Sequence, residues 1–391
     1  GGIITNTTST TNTPEVTLGH VVVFSLDAIS LWSGRRRLKR EDIRATDSEM
    51  PPKDVASLGS KKVIDPEEIS DFEALKKEAH RECAKVGVRF LGGYAVPENE
   101  ANGLAAVLDS VQARFMDRKR DFMSDYDTAV AKWVNAHPEW SGMLQEAALN
   151  RAEVDGKLRF GYSAFRVSAA GGDQDVENPL RQGLSNEVGG LASQLYYEIA
   201  QAAGLVMEKS LLGRDRVTQK ILSPVRTIRK KLFGLSFLDK RVAPLIDTID
   251  HILSKLPVAG HIDGMELTAL HGLIFILSDV QRMQEHGDLI LNGKTVQEAA
   301  EESIPALAEP DEPDAQEESA SADATGVDVP PASVDDDLFA AVIMQPTPQP
   351  PVTPMAAAPA MGVVPGMGAG MAHAHYAVRK IMAPPPVQRR V

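Results

Sequence analysis

Between Pro97 and Pro138 the chain carries no proline, and its apolar side chains recur at three- and four-residue spacing. They are Leu104, Val107, Leu108, Val111, Phe115, Phe122, Tyr126, Val130 and Trp133. That stripe predicts one helix over 98–135, bounded by proline on both sides. At roughly 1.5 Å per residue it reaches about 55 Å. A helix this long exceeds the usual globular range, so it is expected as a coiled-coil arm or a long bundle helix. Its stripe must be covered either by the chain's own later helices or by a second copy, which makes a homo-oligomer the lesser expectation.

The remaining elements are shorter. "HVVVFSLDAISLW" is β-branched and apolar and reads as a buried strand or strand pair ending at the Ser33-Gly34 turn. "DPEE" opens a helix over 65–86, with Asp65 as N-cap and an apolar stripe of Phe72, Leu75, Ala79 and Cys83. "VRFLGGYAVP" reads as an extended element broken at Gly92 and Gly93, and "KLRFGYSAFRVSA" as a strand or hairpin. Helices are expected over 185–211, over 215–232 with a bend at Pro224, over 240–256 and over 264–285. The expected fold is mostly α: an elongated helical bundle with long antiparallel, coiled-coil-like helices, a small β element and disordered tails. Its divisions are a disordered segment 1–16, a mainly helical domain 17–290, and a disordered tail 291–391 that is first acidic and then Pro/Ala/Met-rich.

Charge follows the same division. The chain has a net charge of -13, but residues 298–391 hold 14 acidic and 4 basic residues, leaving 40 and 37 for the rest. A near-neutral body neither demands nor forbids a nucleic-acid partner. Cys83 is the single cysteine, which excludes an internal disulfide and a cysteine-based zinc site. No apolar run approaches the roughly 20 residues that span a bilayer, so no membrane partner is expected and a reducing, cytoplasmic setting is.

Catalytic signatures are sparse. "SLGSKKVID" lacks the spacing of a phosphate loop and reads as a surface loop. His251, His261 and His271, near Asp247, Asp250, Asp263 and Glu266, fall on separate elements rather than at the three- or four-residue spacing a helix-borne metal site needs. Asp27 falls inside an apolar strand and is either buried and paired, with an arginine of "GRRRLKR", or solvent-facing at a strand edge. No catalytic residue, metal or cofactor is assigned.

Two basic clusters stand out. "LWSGRRRLKREDI" places Trp32 before Arg35, Arg36, Arg37, Lys39 and Arg40, and Arg226, Arg229, Lys230 and Lys231 form a second group on a helix. Together they offer phosphate neutralisation, with Trp32 as a stacking platform. The competing reading is a solvated corner with Trp32 in the core, and 5% aromatic content favours it. In the tail, "DDDLFAAVIM" sets Leu338, Phe339, Val342 and Ile343 on one face of a nascent helix capped by 335–337, either a partner-binding element or an inert linker.

The order and spacing of "LWSGRRRLKREDI", "SLGSKKVIDPEEISDFEALKKEAHRECAKVGVRFLGGYAVPE", "YDTAVAKWVNAHPEW" and "RFGYSAFRV" resemble a bacterial family, the domain of unknown function 3150, over roughly 20–285. The resemblance implies a protein of phages and conjugative elements, encoded near MoxR-type AAA+ ATPases and von Willebrand A-type proteins. It carries over no catalytic residues. The expected function is a non-enzymatic interaction or adaptor protein acting with those partners. The alternative is a nucleic-acid-binding accessory protein that uses the two basic clusters.

Overall fold

The computed structural model describes residues 14–42, 59–168, 179–304 and 338–339, all within one unit, residues 1–350. The short helix α1 (Pro14–Gly19) leads into β1 (Val21–Ser25), followed by β2 (Arg35–Arg37) and β3 (Ser60–Lys62). Next come α2 (Glu67–Val86), the strands β4 (Val88–Phe90) and β5 (Gly93–Pro97), and the long helix α3 (Glu98–Ala136). Two short helices, α4 (Ser141–Ala147) and α5 (Arg151–Lys157), precede β6 (Ser163–Phe165). The second half runs α6 (Pro179–Gly189), α7 (Leu191–Val206), β7 (Arg216–Thr218), α8 (Leu222–Gly234) and α9 (Val242–Lys255). It ends with β8 (His261–Asp263), α10 (Gly264–Leu277), α11 (Val280–Leu291) and α12 (Val296–Ser303). The described residues are thus mostly helical, with small antiparallel sheets.

The long periodic stripe forms α3 within a residue of its expected bounds. Leu104, Leu108, Val111, Phe115, Phe122, Met123, Tyr126 and Val134 are buried along it. Its cover comes from the same chain. α2 packs antiparallel to it: Arg114 pairs with Glu78 at 2.5 Å and Arg118 with Asp71 at 2.8 Å, so numbers rise on one helix as they fall on the other. Between them, Phe72 meets Phe115 edge-on at 5.0 Å and Phe122 at 5.7 Å. Such buried rings each contribute roughly 1.5–3 kcal/mol over exposure, so the core and not the surface ion pairs holds the two helices together.

The four-stranded sheet runs β4-β5-β1-β6, antiparallel throughout. β4 and β5 form a tight hairpin because Leu91 and Gly92 both adopt positive φ, 48° and 77°, which matches the twist of the strands. Gly93 then lies so close to β1 that a Cβ would sit 2.3 Å from the Phe24 carbonyl oxygen. The glycine pair that reads as a bend is therefore a hairpin turn followed by a close backbone approach.

Four expectations change. The helix expected over 185–211 is two, α6 and α7, parted at Gly190 and closed by a π turn, Met207–Leu211. The stretch 215–232 begins as β7 and only then becomes α8, where Pro224 sits in the first turn and its missing N–H breaks no helical bond. The single helix expected over 264–285 is interrupted at Asp279, whose carboxylate accepts from Arg282 N at 2.9 Å and starts α11. Helical structure also continues past residue 290: α12 opens with a capping box between Thr295 and Glu298 and buries Ala299. Of the segments expected to be disordered, 1–13, 305–337 and 340–391 lie outside the described residues. No helix among the described residues is long and apolar enough to cross a membrane.

Candidate functional site

Trp32 is buried at 5% exposure, edge-on to Tyr126 at 5.8 Å and 6.5 Å from Phe122. It is a core residue and presents no face for stacking. The chain then turns at Gly34, φ 63°, where a Cβ would come within 2.9 Å of Ile64 and Ile69. That turn delivers Arg35, Arg36 and Arg37 into β2, all three exposed.

β2 pairs with β3 in the register Arg35↔Lys62, Arg36↔Lys61 and Arg37↔Ser60. Directly opposed residues share a face, so Arg36 and Lys61 point one way and Arg35, Arg37 and Lys62 the other. The first face is tied down. Arg36 Nε donates to the Ala147 carbonyl at 3.3 Å, and Lys61 Nζ pairs with Asp42 at 2.7 Å. The Lys61 bond, with a second from the Lys39 backbone N–H, holds the Asp42 carboxyl below its ordinary value. Lys39 is exposed and Arg40 half-buried in the turn that follows. The second face carries three cations.

Beside this ribbon lies a groove of about 450 Å³ lined by Leu38, Trp133, His137, Trp140, Met143 and Leu144, together with Lys62 and the paired Lys61 and Asp42. Trp133 Nε1 donates to the Lys62 carbonyl at 3.2 Å, which locks the end of α3 to β3. His137 Nδ1 donates to the Trp133 carbonyl at 2.9 Å. Trp140, in contrast, is 45% exposed. The groove therefore has one rigid indole and one free to meet a ligand, an apolar lining, the neutralised Lys61–Asp42 pair and one further cation, Lys62.

The second basic cluster does not form a patch. Arg229 is held by Asp250 at 2.5 and 2.7 Å, and Lys230 pairs with Glu100 at 3.0 Å. Arg226 is exposed. Lys231 points the opposite way and is fully buried. Its Nζ donates to Glu198 Oε2 at 2.5 Å and to the Ala84 carbonyl at 2.6 Å, and lies 4.1 Å from the centre of the Phe339 ring. An ammonium has three N–H donors, and two oxygens and an aromatic ring lie within reach of this one. Burial pushes Lys231 below the ordinary lysine value while Glu198 opposes that shift. The Glu198 carboxylate also accepts from Arg89 N at 2.9 Å and Gln194 Nε2 at 2.8 Å.

Leu338 and Phe339 thus sit in the main hydrophobic cluster, 2% and 1% exposed. Val342 and Ile343 lie outside the described residues. His251, His261 and His271 fall on α9, β8 and α10, and no group of three His, Cys, Asp or Glu among the described residues is placed to hold a metal. Asp27 is exposed, its backbone N–H bonded to Ser25 Oγ at 3.3 Å.

Several of these features were legible without being singled out. "WVNAHPEW" sets two tryptophans around the proline that ends a helix, a pattern that marks an aromatic corner. "LYYEIAQAAGLV" places Glu198 inside an apolar run, the signature of a buried, paired acid. β3, three residues long, has no periodicity to detect.

A half-buried histidine supplies a pH test. His80 Nδ1 lies 2.9 Å from the Tyr94 hydroxyl, and desolvation, aided by Arg89 and Lys76, lowers its pKa to about 4. The neutral ring is therefore the form the fold accepts, while the unfolded chain takes up a proton near the ordinary value of about 6.5. Stability from this group is present above about pH 6.5 and is lost progressively as pH falls towards 4. Urea midpoints from pH 7.5 to 4.5 are expected to fall less steeply for His80→Gln than for the wild type. Parallel curves would show that His80 does not titrate in this way.

A family model described as a protein of unknown function (DUF3150) matches residues 18–279. No curated protein and no solved structure matches the chain.

Proposed function

Because the chain belongs to the DUF3150 family, whose function is unknown, we propose a function from its own geometry: a non-enzymatic interaction protein that captures a protein partner in the groove beside the β2–β3 ribbon. The observation that carries this reading is the exposed Trp140 in an apolar-lined groove of about 450 Å³ that reaches Lys62, the residue that shares a face of the adjoining ribbon with Arg35 and Arg37. Aromatic side chains in an apolar pocket are the usual anchors of a protein interface, and a cationic margin orients an acidic partner and speeds its approach. The partner that fits is a protein segment with one large apolar side chain flanked by carboxylates. Within this proposal the chain is an adaptor of a phage or other mobile element, and its partner is a MoxR-type AAA+ ATPase or a von Willebrand A-type protein.

The test is affinity measurement against the ATPase and the von Willebrand A-type protein encoded beside this chain, with and without ATP. Trp140→Ala is expected to weaken capture by about 30-fold, the effect of removing a 2 kcal/mol anchor. Arg35→Glu with Arg37→Glu is expected to slow association and to reduce its salt dependence. Absence of binding to either protein, or binding unaffected by both changes, rejects the reading. The three cations on one ribbon face also suit phosphates, which makes nucleic acid the second reading. It requires binding to oligonucleotides with a steep logarithmic salt dependence, of slope about -0.7 to -0.9 per phosphate neutralised.

A further inference from the structure

The Lys231 site raises a question that the groove does not. Its ammonium is closed on two sides by α7 and α2, through Glu198 and the Ala84 carbonyl, and on the third by a residue more than a hundred positions further along the chain. From Ile304 to Leu338 the connection is 33 residues of acidic, proline-containing sequence. With Phe339 in place both side chains of the pair are at 0% exposure. A buried ammonium needs a partner for each N–H, and the face of an aromatic ring can take the one left by the Glu198 and Ala84 oxygens.

We propose that the junction of α2, α7 and α8 is a binding site for an apolar-aromatic pair, and that this chain's own Leu338 and Phe339 are its resident ligand. The ring of Phe339 caps the ammonium, and Leu338 joins the same apolar cluster. The pair acts as an anchor that returns the C-terminal segment to the body. The 33-residue connection keeps the anchor at high effective concentration, so a modest intrinsic affinity suffices to hold it in cis. Release of Leu338 and Phe339 would bare the Lys231–Glu198 pair. This site is separate from the groove at Trp140 and does not depend on the reading of that groove.

The experiment uses the full chain with a protease recognition sequence inserted after Ala320, cut only after folding, so that no variant has to fold without its tail. The fragment beginning at residue 321 is expected to stay with the body on gel filtration at micromolar concentration. The fragment from a Phe339→Ala chain is expected to separate, with at least tenfold weaker rebinding by anisotropy. Phe339→Leu keeps apolar bulk but lacks the ring face and is expected to rebind more weakly than the wild type. Lys231→Met in the body is expected to erase the difference between the Phe and Leu fragments. If wild-type and Phe339→Ala fragments both leave or both stay, or if Lys231→Met leaves the Phe preference intact, the proposal is overturned.

Discussion

Glu198→Ala is expected to lower the free energy of unfolding by about 3–5 kcal/mol, the cost of breaking a buried ion pair by removing one partner. The size follows from what remains. Lys231 keeps the Ala84 carbonyl and the Phe339 ring but loses the carboxylate that pairs with it at 2.5 Å, in a site where neither side chain touches water. Arg89 N and the Gln194 side chain lose their acceptor in the same step. Lys231→Met is expected to cost less, because the carboxylate left behind still accepts from those two donors. Replacing both, Glu198→Leu with Lys231→Met, is expected to recover part of the loss, since an apolar pair of similar volume carries no desolvation penalty. Urea denaturation of the wild type, Glu198→Leu, Lys231→Met and the double variant closes the cycle. A Glu198→Ala protein within 1 kcal/mol of the wild type would mean that water reaches the pair.

Trp32→Ala is expected to cost about 3–5 kcal/mol, the usual loss for a large buried aromatic, while leaving partner capture at the groove unchanged. The reason lies in its contacts, which are Tyr126 and Phe122 on α3 inside the core. Trp140→Ala is expected to show the reverse pattern: stability within about 0.5 kcal/mol, as for most surface positions, and weakened capture. Measuring stability and binding for both variants separates the two indoles. Loss of binding in Trp32→Ala at temperatures where it remains folded would return Trp32 to the binding surface.

The two tryptophans show how far a linear reading extends. Trp32 precedes a run of cations and Trp140 follows a helix, and nothing in either local pattern says which is in the core. The same holds for the basic residues. Arg229 and Lys230 read as a patch with Lys231, yet Asp250 and Glu100, distant along the chain, neutralise the first two, and Glu198 draws the third inside. The ribbon is the converse case: Arg35, Arg36 and Arg37 acquire Lys61 and Lys62 as neighbours only because β3 pairs with β2.

What local signals specify, the residues state directly. α2 and α3 follow from a 3.6-residue apolar period repeated over many turns, and the chain reversal between β4 and β5 is marked by Gly92 and Gly93, because helix and turn energetics depend on residues within four positions of one another. The splits at Gly190 and Asp279 are not visible as a change of period, because the apolar spacing continues across each break. The burial of Lys231 and the seating of Phe339 against it were settled by tertiary structure alone. They depend on α2, α7, α8 and residues 338–339 meeting at one point, and long-range contacts of that kind leave no period in the chain that forms them.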